Sequence, residues 1–214
     1  ESLSAMARAH GFLFPIPEDW TRAFVDAGFD ISYDEGDSDY VFKMEKMAEF
    51  TGRKLHRKRN QLNQFVREYR HQCEPFGPAG VADALAILDA WQTESEQGPD
   101  ETDYAACREA LDHWQTLGLE GLIVYADEAP GGFLLGEPLN HETFVCHFAK
   151  GRKHLKGLYE FMYNALAKRL VDRFRLLNLE QDLNLEALRF AKSSYYPDLR
   201  LRKYRLTPKP TTIG

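Results

Sequence analysis

The stretch 119–149, LEGLIVYADEAPGGFLLGEPLNHETFVCHFA, contains three short apolar runs separated by turn residues. The alternation within each run is typical of strands, and the Gly, Pro, Asn and Asp residues between the runs favour tight turns. The pattern therefore predicts strands at 119–126, 132–138 and 142–148 that form one antiparallel meander. It also predicts that a helix at about 155–171 packs across this meander.

Strand and helix patterns alternate on both sides of the meander. We expect strands within 29–44, at 68–76, 173–179 and 199–206, and helices at 51–66, 77–92, 103–118 and 185–195. This order indicates an α+β protein. It is also the element order of the Gcn5-related N-acetyltransferase fold, a mixed, mostly antiparallel sheet flanked by helices.

Composition limits the possible functions of the chain. The 214 residues carry a net charge of -6, which argues against indiscriminate nucleic-acid binding but leaves room for a local basic patch. Three cysteines, odd in number and in no metal-like spacing, indicate reduced thiols, no metal site and a cytoplasmic setting. The sequence shows neither a membrane-spanning run nor a signal peptide, so any membrane contact is expected to be peripheral.

A change from acidic to basic composition near Gly52 marks the expected domain boundary. We expect residues 1–51 to be the C-terminal part of a first acetyltransferase-like domain. Residues 52–214 then form a second one. The first residue is Glu and the opening reads as a helix already under way, so the chain is expected to begin inside a larger protein.

The segment 51–66, TGRKLHRKRNQLNQFV, carries a basic cluster inside a predicted helix. Helical spacing predicts a buried stripe of Leu55, Leu62, Val66 and Tyr69, interrupted by charge at Lys58 and Arg59. The ordinary interpretation is a solvated basic helix whose Arg59 pairs with an internal carboxylate. The functional interpretation is an anion-binding wall of a cleft.

Two further segments contain candidate site residues. Strand alternation places His147 on a face that could line a cleft, with Glu137 on the preceding strand as its nearest candidate partner, although a lone strand histidine is more often structural. In the predicted loop 149–157, Lys150 and Arg152 supply positive charge for phosphate. In the acetyltransferase fold this junction normally carries a glycine-rich turn that holds the pyrophosphate of coenzyme A, and the turn is missing here.

A third charged cluster lies in 178–197, NLEQDLNLEALRFAKSSYYP. On a helix, Asp182, Arg189 and Lys192 would share one stripe, flanked by Tyr195. The ordinary interpretation is an ion pair within the helix plus a surface lysine.

The sequence resembles the C-terminal domain of bacterial phosphatidylglycerol lysyltransferases and their stand-alone relatives. Three motifs carry the resemblance: RKLHRKRNQLNQF, NLEQDLNLEALRFAKSSYYP and LRKYRL. Matching positions are Lys58, Arg59, Asn60, Glu180, Gln181, Asp182, Leu183, Leu188, Arg189, Ala191, Lys192, Ser194 and Tyr195. The sequence departs from the family pattern at Leu179, Asn184 and Ala187, where Arg, Gly and Gly are usual.

The resemblance implies transfer of an aminoacyl group from aminoacyl-tRNA to a hydroxyl or amine acceptor, such as a phosphatidylglycerol-like head group, without coenzyme A. On that basis Asp182 or Glu137 would bind the α-ammonium of the donor or take the proton of the acceptor. Tyr195 would protonate the leaving hydroxyl. The cations Lys58, Arg59, Arg189 and Lys192 would hold phosphate or stabilise the oxyanion.

Burying so many charges separately would be costly, so the two charged helices are expected to face one shared cavity. In that case Arg59→Ala and Asp182→Ala would each lower transfer while the fold survives. Two alternatives stay open. One is an acyl-CoA-dependent N-acyltransferase in which basic side chains replace the glycine turn, and the other is a non-catalytic domain that binds RNA or protein through residues 53–59.

Overall fold

The computed structural model of the chain describes residues 3–209. Its helices are α1 (Leu3–His10), α2 (Met44–Glu49), α3 (His56–Glu68), α4 (Val81–Thr93), α5 (Tyr104–Asp112), α6 (Leu158–Leu170) and α7 (Glu186–Ser193). Its strands are β1 (Leu13–Pro17), β2 (Phe29–Tyr33), β3 (Asp39–Lys43), β4 (His71–Pro75), β5 (Glu120–Ala126), β6 (Ala129–Pro138), β7 (Thr143–Gly151), β8 (Leu176–Asn178), β9 (Leu199–Leu201) and β10 (Lys203–Pro208).

Internal contacts divide the chain into two compact units. The central unit is Phe42–Leu179, and the terminal unit combines Glu1–Val41 with Glu180–Gly214. The boundary expected at residue 52 concerns two acetyltransferase-like domains, and it stays a prediction. The outer ends of the two predicted domain ranges, residues 1–2 and 210–214, lie outside the described residues.

The central unit contains the predicted meander. Five of its strands lie in the order β4-β5-β6-β7-β8. From β4 to β7 each strand is antiparallel to the next, whereas β8 is parallel to β7. Leu122 pairs with Leu134, which in turn pairs with Ala149. The meander predicted from the sequence is therefore confirmed.

Helices cover both faces of this sheet, because alternate side chains of a strand point to opposite faces. Phe133 and Leu135 belong to one buried cluster with α4 and α5. Gly132, which precedes Phe133 and points to the opposite face, lies against α6, since a Cβ atom at Gly132 would lie 2.7 Å from Met162 Sδ. Helix α6 contacts β5, β6 and β7, which confirms the predicted packing of this helix across the meander.

Helix α3 lies directly against the start of α6. Gly157, the N-cap residue of α6, has φ +81°, and a Cβ atom there would lie 2.1 Å from the Gln61 carbonyl oxygen. Glycine tolerates both this backbone conformation and this spacing. In the same region Lys58 Nζ donates to Glu160 Oε1 at 2.9 Å, and both side chains are buried. A backbone contact and a buried ion pair thus hold the two helices together.

The buried stripe predicted for α3 is partly wrong. Val66 is 46% exposed, whereas Phe65 is fully buried, and Leu55 is buried but precedes the helix as its N-cap residue. The buried positions of the helix itself are Lys58 and Phe65. The ammonium group of Lys58 can be buried because the Glu160 carboxylate neutralises it. This ion pair orients α3 so that Lys58 faces the interior.

The terminal unit contains a three-stranded antiparallel sheet in the order β1-β10-β2. Its small core consists of Ala7, Ile16, Phe29 and Leu206. The first residues of β3 pair with β9 in a second antiparallel ladder. The final strand expected at 199–206 is therefore two strands with different partners.

Two other expectations are corrected. The sequence pattern did not predict α2. The buried side chain of Asn164 caps this helix by donating to the carbonyl oxygens of Met47 and Ala48 at 3.0 and 2.7 Å. Asp182 was expected on a helix, but α7 begins only at Glu186. Positive φ angles at Leu183 and Asn184 place Asp182 in a loop instead.

Candidate functional site

Asp182 is the centre of a buried polar cluster in the terminal unit. Its side chain is 0% exposed. The Asn184 backbone N–H donates to Asp182 Oδ1 at 2.8 Å, a turn that the left-handed conformation of Asn184 permits. The loop before α7 therefore presents the Asp182 carboxylate inward.

Three side-chain donor groups complete the hydrogen bonding of this carboxylate. Tyr40 OH donates to Oδ2 at 2.6 Å, and Arg189 donates through Nε to Oδ2 and through its Nη2 atom to Oδ1, both at 3.1 Å. Burial by itself raises the pKa of Asp182, but hydrogen bonds from Arg189, Tyr40 and the Asn184 backbone outweigh it and lower the pKa to about 2. Asp182 is therefore a weak base at neutral pH, and it holds Arg189 and Tyr40 in place.

Further cations surround this cluster. Lys192 Nζ donates to the Gln181 carbonyl oxygen at 2.5 Å. Lys203 Nζ contacts Gln181 Oε1 at 2.5 Å and Asp39 Oδ1 at 2.6 Å. Arg189 and Lys203 are thus each neutralised by an internal carboxylate, and Lys192 is held by a backbone carbonyl group.

A pocket of about 420 Å³ lies on the same loop, and it is lined by Ser32, Tyr33, Asp34, Asp37, Leu183, Asn184 and Arg205. Asn184 connects it to the cluster, because its side chain donates to Asp34 Oδ1 and accepts from Arg189, both at 2.8 Å. Hydrogen bonds from the Asn184 side chain and the Gly36 backbone lower the pKa of Asp34. Asp34 is therefore ionised at neutral pH, so the pocket offers an acidic wall to a cation.

The low pKa of Asp182 predicts how stability changes in acid. Its pKa is about 2 in the folded protein against an ordinary value of 3.8, so its contribution is present above pH 3.8 and is lost as the pH falls through about 2. We expect the free energy of unfolding to fall less for Asp182→Asn than for wild type between about pH 5 and about pH 2. The difference should be on the order of 1 kcal/mol, because solvent around Arg189 screens the pair. Urea unfolding across this range measures the effect, and parallel curves would contradict it.

In the central unit, Lys58 and Arg59 each have a partner close by. Lys58 pairs with Glu160, whereas Arg59 donates through Nη1 to the Phe50 carbonyl oxygen at 2.5 Å. Asn60, the third residue of this motif, is exposed. The partner of Arg59 is thus a carbonyl group, and the internal carboxylate expected for it serves Lys58.

His147 and Glu137 form the second candidate group of the central unit. His147 Nε2 and Glu137 Oε1 are 3.1 Å apart, and the side chains are 26% and 45% exposed. A carboxylate beside an imidazole orients the ring and stabilises its protonated form. The pair is therefore suited to accept a proton from a hydroxyl group and is accessible to one.

The cations after the meander are neutralised by carboxylates. Lys150 lies in β7 rather than in a loop, and its ammonium contacts Asp103 Oδ1 at 2.6 Å and the face of Trp91 at 3.7 Å from the ring centre. Arg152 Nε donates to Glu94 Oε1 at 3.1 Å. The proposed role of Lys150 and Arg152 in phosphate binding stays a prediction.

Glu94 also binds the next residue of the loop, Lys153. Its Oε2 accepts the Lys153 backbone N–H at 3.1 Å, and the Glu94 carbonyl oxygen accepts from Lys153 Nζ. The hydrogen bond from the Lys153 backbone, followed by that from Arg152, lowers the pKa of Glu94. An internal carboxylate thus occupies the donors that an external anion would need.

We expect acetyl-CoA to bind more weakly than about 1 mM, because the glycine turn is missing and Glu94 occupies Arg152 and Lys153. Isothermal titration calorimetry measures this affinity. Micromolar binding would contradict the prediction and favour the acyl-CoA-dependent alternative.

Some predicted site residues meet and others do not. Asp182 contacts Arg189, and His147 contacts Glu137. Tyr195 is buried in the terminal unit. Lys58 and Arg59 belong to the central unit, and the shared cavity stays a prediction. The argument for it, that separate burial of these charges would be costly, is weaker, however, because each charge has a partner within its own unit.

Several contributors were not found from the sequence: Asp34, Tyr40, Glu94, Asp103 and Glu160. Each contacts a residue that is far away in the chain, so local spacing does not identify its partner. Glu160 alone gives a weak signal, because a charge that interrupts the apolar pattern of α6 indicates a buried partner.

Two absences concern residues 3–209. Within this range no three His, Cys, Asp or Glu residues are grouped so that they could hold a metal ion. No helix in the same part of the chain has the length and apolar character needed to cross a membrane.

The fold is that of the Gcn5-related N-acetyltransferases, as predicted. A tandem protein of this class from the clavulanic acid biosynthesis pathway has a TM-score of 0.53 at 11% identity, with 97% of this chain and 68% of that chain covered. The profile described as "Phosphatidylglycerol lysyltransferase, C-terminal" matches residues 1–207. The chain therefore belongs to the phosphatidylglycerol lysyltransferase C-terminal family and is an acyltransferase-like domain.

Two solved structures show the same relationship. A conserved protein of unknown function from Bacteroides thetaiotaomicron is 27% identical with a TM-score of 0.86, covering 97% of this chain and 73% of that chain. The structure of L-PGS from Bacillus licheniformis is 16% identical with a TM-score of 0.70, covering 98% and 72%. No curated protein sequence matches the chain.

Proposed function

We propose that this domain transfers an aminoacyl group from aminoacyl-tRNA to a hydroxyl group of a phosphatidylglycerol-like lipid, without coenzyme A. The observation that carries the proposal is the match of residues 1–207 to a family described as a lysyltransferase of phosphatidylglycerol. The reaction would take place in the cytoplasm at the membrane surface. An amine acceptor would need the same base and the same ammonium-binding residues as a hydroxyl acceptor.

The acidic pocket of the terminal unit supports a cationic aminoacyl group. Asp34 and Asp37 line this pocket together with the hydroxyl groups of Ser32 and Tyr33, and the two carboxyl groups outnumber the one lining cation, Arg205. Carboxylates beside hydroxyl groups suit the ammonium groups of a lysyl residue. Because Asp182 is saturated with hydrogen bonds, we assign ammonium binding in the terminal unit to Asp34 and Asp37 instead, and the test of this pocket is independent of the chemical step.

The chemical step exchanges one ester bond for another. The acceptor oxygen attacks the carbonyl carbon of the aminoacyl ester, the bond to the ribose oxygen of the tRNA breaks, and the acceptor proton passes to a base. His147 is the proposed base, and Glu137 orients it. Protonation of the ribose oxygen completes the reaction, and the proton taken up by His147 can supply it.

Radioactive lysyl-tRNA tests the proposal when it is incubated with the purified chain and vesicles that contain phosphatidylglycerol. We expect label in the lipid fraction, and no label with phosphatidylcholine vesicles. The Asp34→Asn/Asp37→Asn variant should raise the KM for lysyl-tRNA. Acylation of an amine from acetyl-CoA, without lysyl transfer, would overturn the proposal in favour of an acyl-CoA-dependent enzyme.

Binding of uncharged RNA without any transfer would also overturn it, in favour of a binding domain. A matched control for the double variant is Asp89→Asn/Asp112→Asn, which removes two carboxylates of the central unit. This control should leave KM within about twofold, because exposed charges contribute little at a distance under physiological salt.

A further inference from the structure

Arg205 of β10 carries a guanidinium group that the terminal unit holds in place. Arg205 lies opposite Ser32 of β2, so both side chains project from the same face of the sheet. The other face carries Leu206, which belongs to the small core. The guanidinium carbon of Arg205 lies 4.2 Å from the ring centre of Phe12 and 5.0 Å from that of Phe14. Two aromatic rings thus fix the position of this charge.

The charge of Arg205 is not neutralised by a carboxylate. In the part of the chain that the structure describes, no aspartate or glutamate forms an ion pair with it. Its basic neighbours in the chain differ, since Lys203 contacts Asp39 and Arg202 contacts Glu18. Arg205 also lines the pocket of about 420 Å³ in this unit. It is therefore a cation that an external anion can reach.

The rest of the pocket combines acidic groups with an apolar wall. Asp34 and Asp37 supply two carboxyl groups, so the charged side chains that line the pocket are two acids and one base. Leu183, which is 56% exposed, and the ring of Tyr33 supply the apolar wall. The volume falls within the range of small-molecule sites, about 300–1,000 Å³. The pocket therefore has the size and the mixed charge of a site for a small zwitterion.

The charges of the pocket are complementary to those of a free cationic amino acid. At neutral pH lysine carries two ammonium groups and one carboxylate, opposite in sign to the two carboxyl groups and one guanidinium group of the pocket. A guanidinium group binds a carboxylate through paired hydrogen bonds, and Leu183 can cover the methylene groups of lysine. The lysyl ester of a tRNA has no carboxylate, because that group forms the ester bond. Arg205 is thus the residue that distinguishes the free amino acid from its ester.

We propose that this pocket binds a free cationic amino acid such as lysine, with Arg205 on the carboxylate and Asp34 and Asp37 on the ammonium groups. This inference deepens the proposed function and rests on it, because the same two carboxyl groups are assigned there to the lysyl group of the donor. Free lysine and that lysyl group then exclude each other from the pocket. Free lysine accordingly raises the KM for lysyl-tRNA without changing kcat, so the free amino acid regulates transfer.

Isothermal titration calorimetry with L-lysine and L-lysine amide tests the pocket without measuring transfer. The amide keeps both ammonium groups and lacks the negative charge. We expect wild type to bind lysine at least about tenfold more tightly than the amide, because hydrogen bonds to charged groups contribute at about this level. Arg205→Gln should weaken lysine binding at least about tenfold and change the affinity for the amide by less than about threefold. The amide thereby reports whether the variant still has a folded pocket.

The matched control is Arg22→Gln, which removes an exposed arginine of the terminal unit that does not line the pocket. It should leave both affinities within about twofold. A second variant, Asp37→Asn, should weaken binding of lysine and of the amide alike, because both ligands carry the ammonium groups. Asp37 is preferred to Asp34 for this purpose, since Asp34 also accepts from the Gly36 backbone N–H at 2.8 Å.

Three results would overturn the proposal: no binding of lysine to wild type, equal affinity of wild type for lysine and its amide, or lysine binding that Arg205→Gln leaves unchanged. Transfer assays separate this proposal from the proposed reaction. Lysine binding that depends on Arg205, in a chain that transfers no lysyl group, would support the pocket and refute only the reaction. Lysyl transfer that an excess of free lysine does not inhibit would refute the pocket and leave the reaction standing.

Discussion

Asp182→Ala is expected to lower the free energy of unfolding by about 2–4 kcal/mol, because it leaves buried hydrogen-bond donors without an acceptor. The Tyr40 hydroxyl and the Asn184 backbone N–H would lose their partner, whereas the Arg189 side chain is 44% exposed and would stay hydrated. Urea unfolding followed by circular dichroism measures the change. From the sequence alone we expected the fold to tolerate this substitution, and the complete burial of Asp182 changes that expectation.

A surface carboxylate provides the control for Asp182. Asp89 accepts from Arg108 at 3.2 Å, but its side chain is 53% exposed. Asp89→Ala should cost less than about 1 kcal/mol. If Asp182→Ala cost no more than Asp89→Ala, the buried cluster would not have the structural role that we assign to it.

The second large effect concerns catalysis. His147→Ala is expected to lower kcat for lysyl transfer by about 10²- to 10⁴-fold, the usual contribution of a general base. Its substrate affinity should stay nearly unchanged, since the imidazole acts on a proton and not on binding. Single-turnover transfer from lysyl-tRNA separates the two quantities.

His141→Ala is the matched control for His147, because His141 is exposed on the connection between β6 and β7. It should retain activity within about twofold. Glu137→Gln keeps the size of the positioning residue and removes its charge, so it should lower kcat less than His147→Ala does and leave KM nearly unchanged. An His147→Ala variant with wild-type kcat would remove the base from our mechanism.

Local patterns predicted much of the fold. Alternation and turn residues were sufficient for β5, β6 and β7, because register in a meander follows from neighbouring segments. The same reasoning failed at 199–206, where uniform alternation conceals a change of pairing partner between Leu201 and Lys203. Partner choice there depends on strands more than 150 residues earlier in the chain.

The candidate site was predictable only in part, for a related reason. Charges on apolar faces predicted an internal carboxylate partner for Arg59 and an ion pair within the helix for Asp182, since isolated buried charges are too costly. The buried carboxylate, Glu160, pairs with Lys58 instead. The pattern did not identify those partners. Asp182 was expected on a helix because it fits helical spacing with Leu185, Arg189 and Lys192. It lies in a loop instead, because positive φ angles at Glu180, Leu183 and Asn184 are stabilised by contacts that the sequence does not display.

The close approach of Gly157 to Gln61 has a mechanical consequence for the central unit. Because the backbones of α3 and α6 touch there, and Lys58 and Glu160 join them a turn away, neither helix can open alone. Their amide hydrogens should exchange with solvent as one cooperative unit. The exposed Arg57 then lies on a rigid helix. Binding of a polyanion to Arg57 would therefore cost little backbone entropy in the protein. A ligand that pulls on α3 must move α6, and with it the helix that covers the meander.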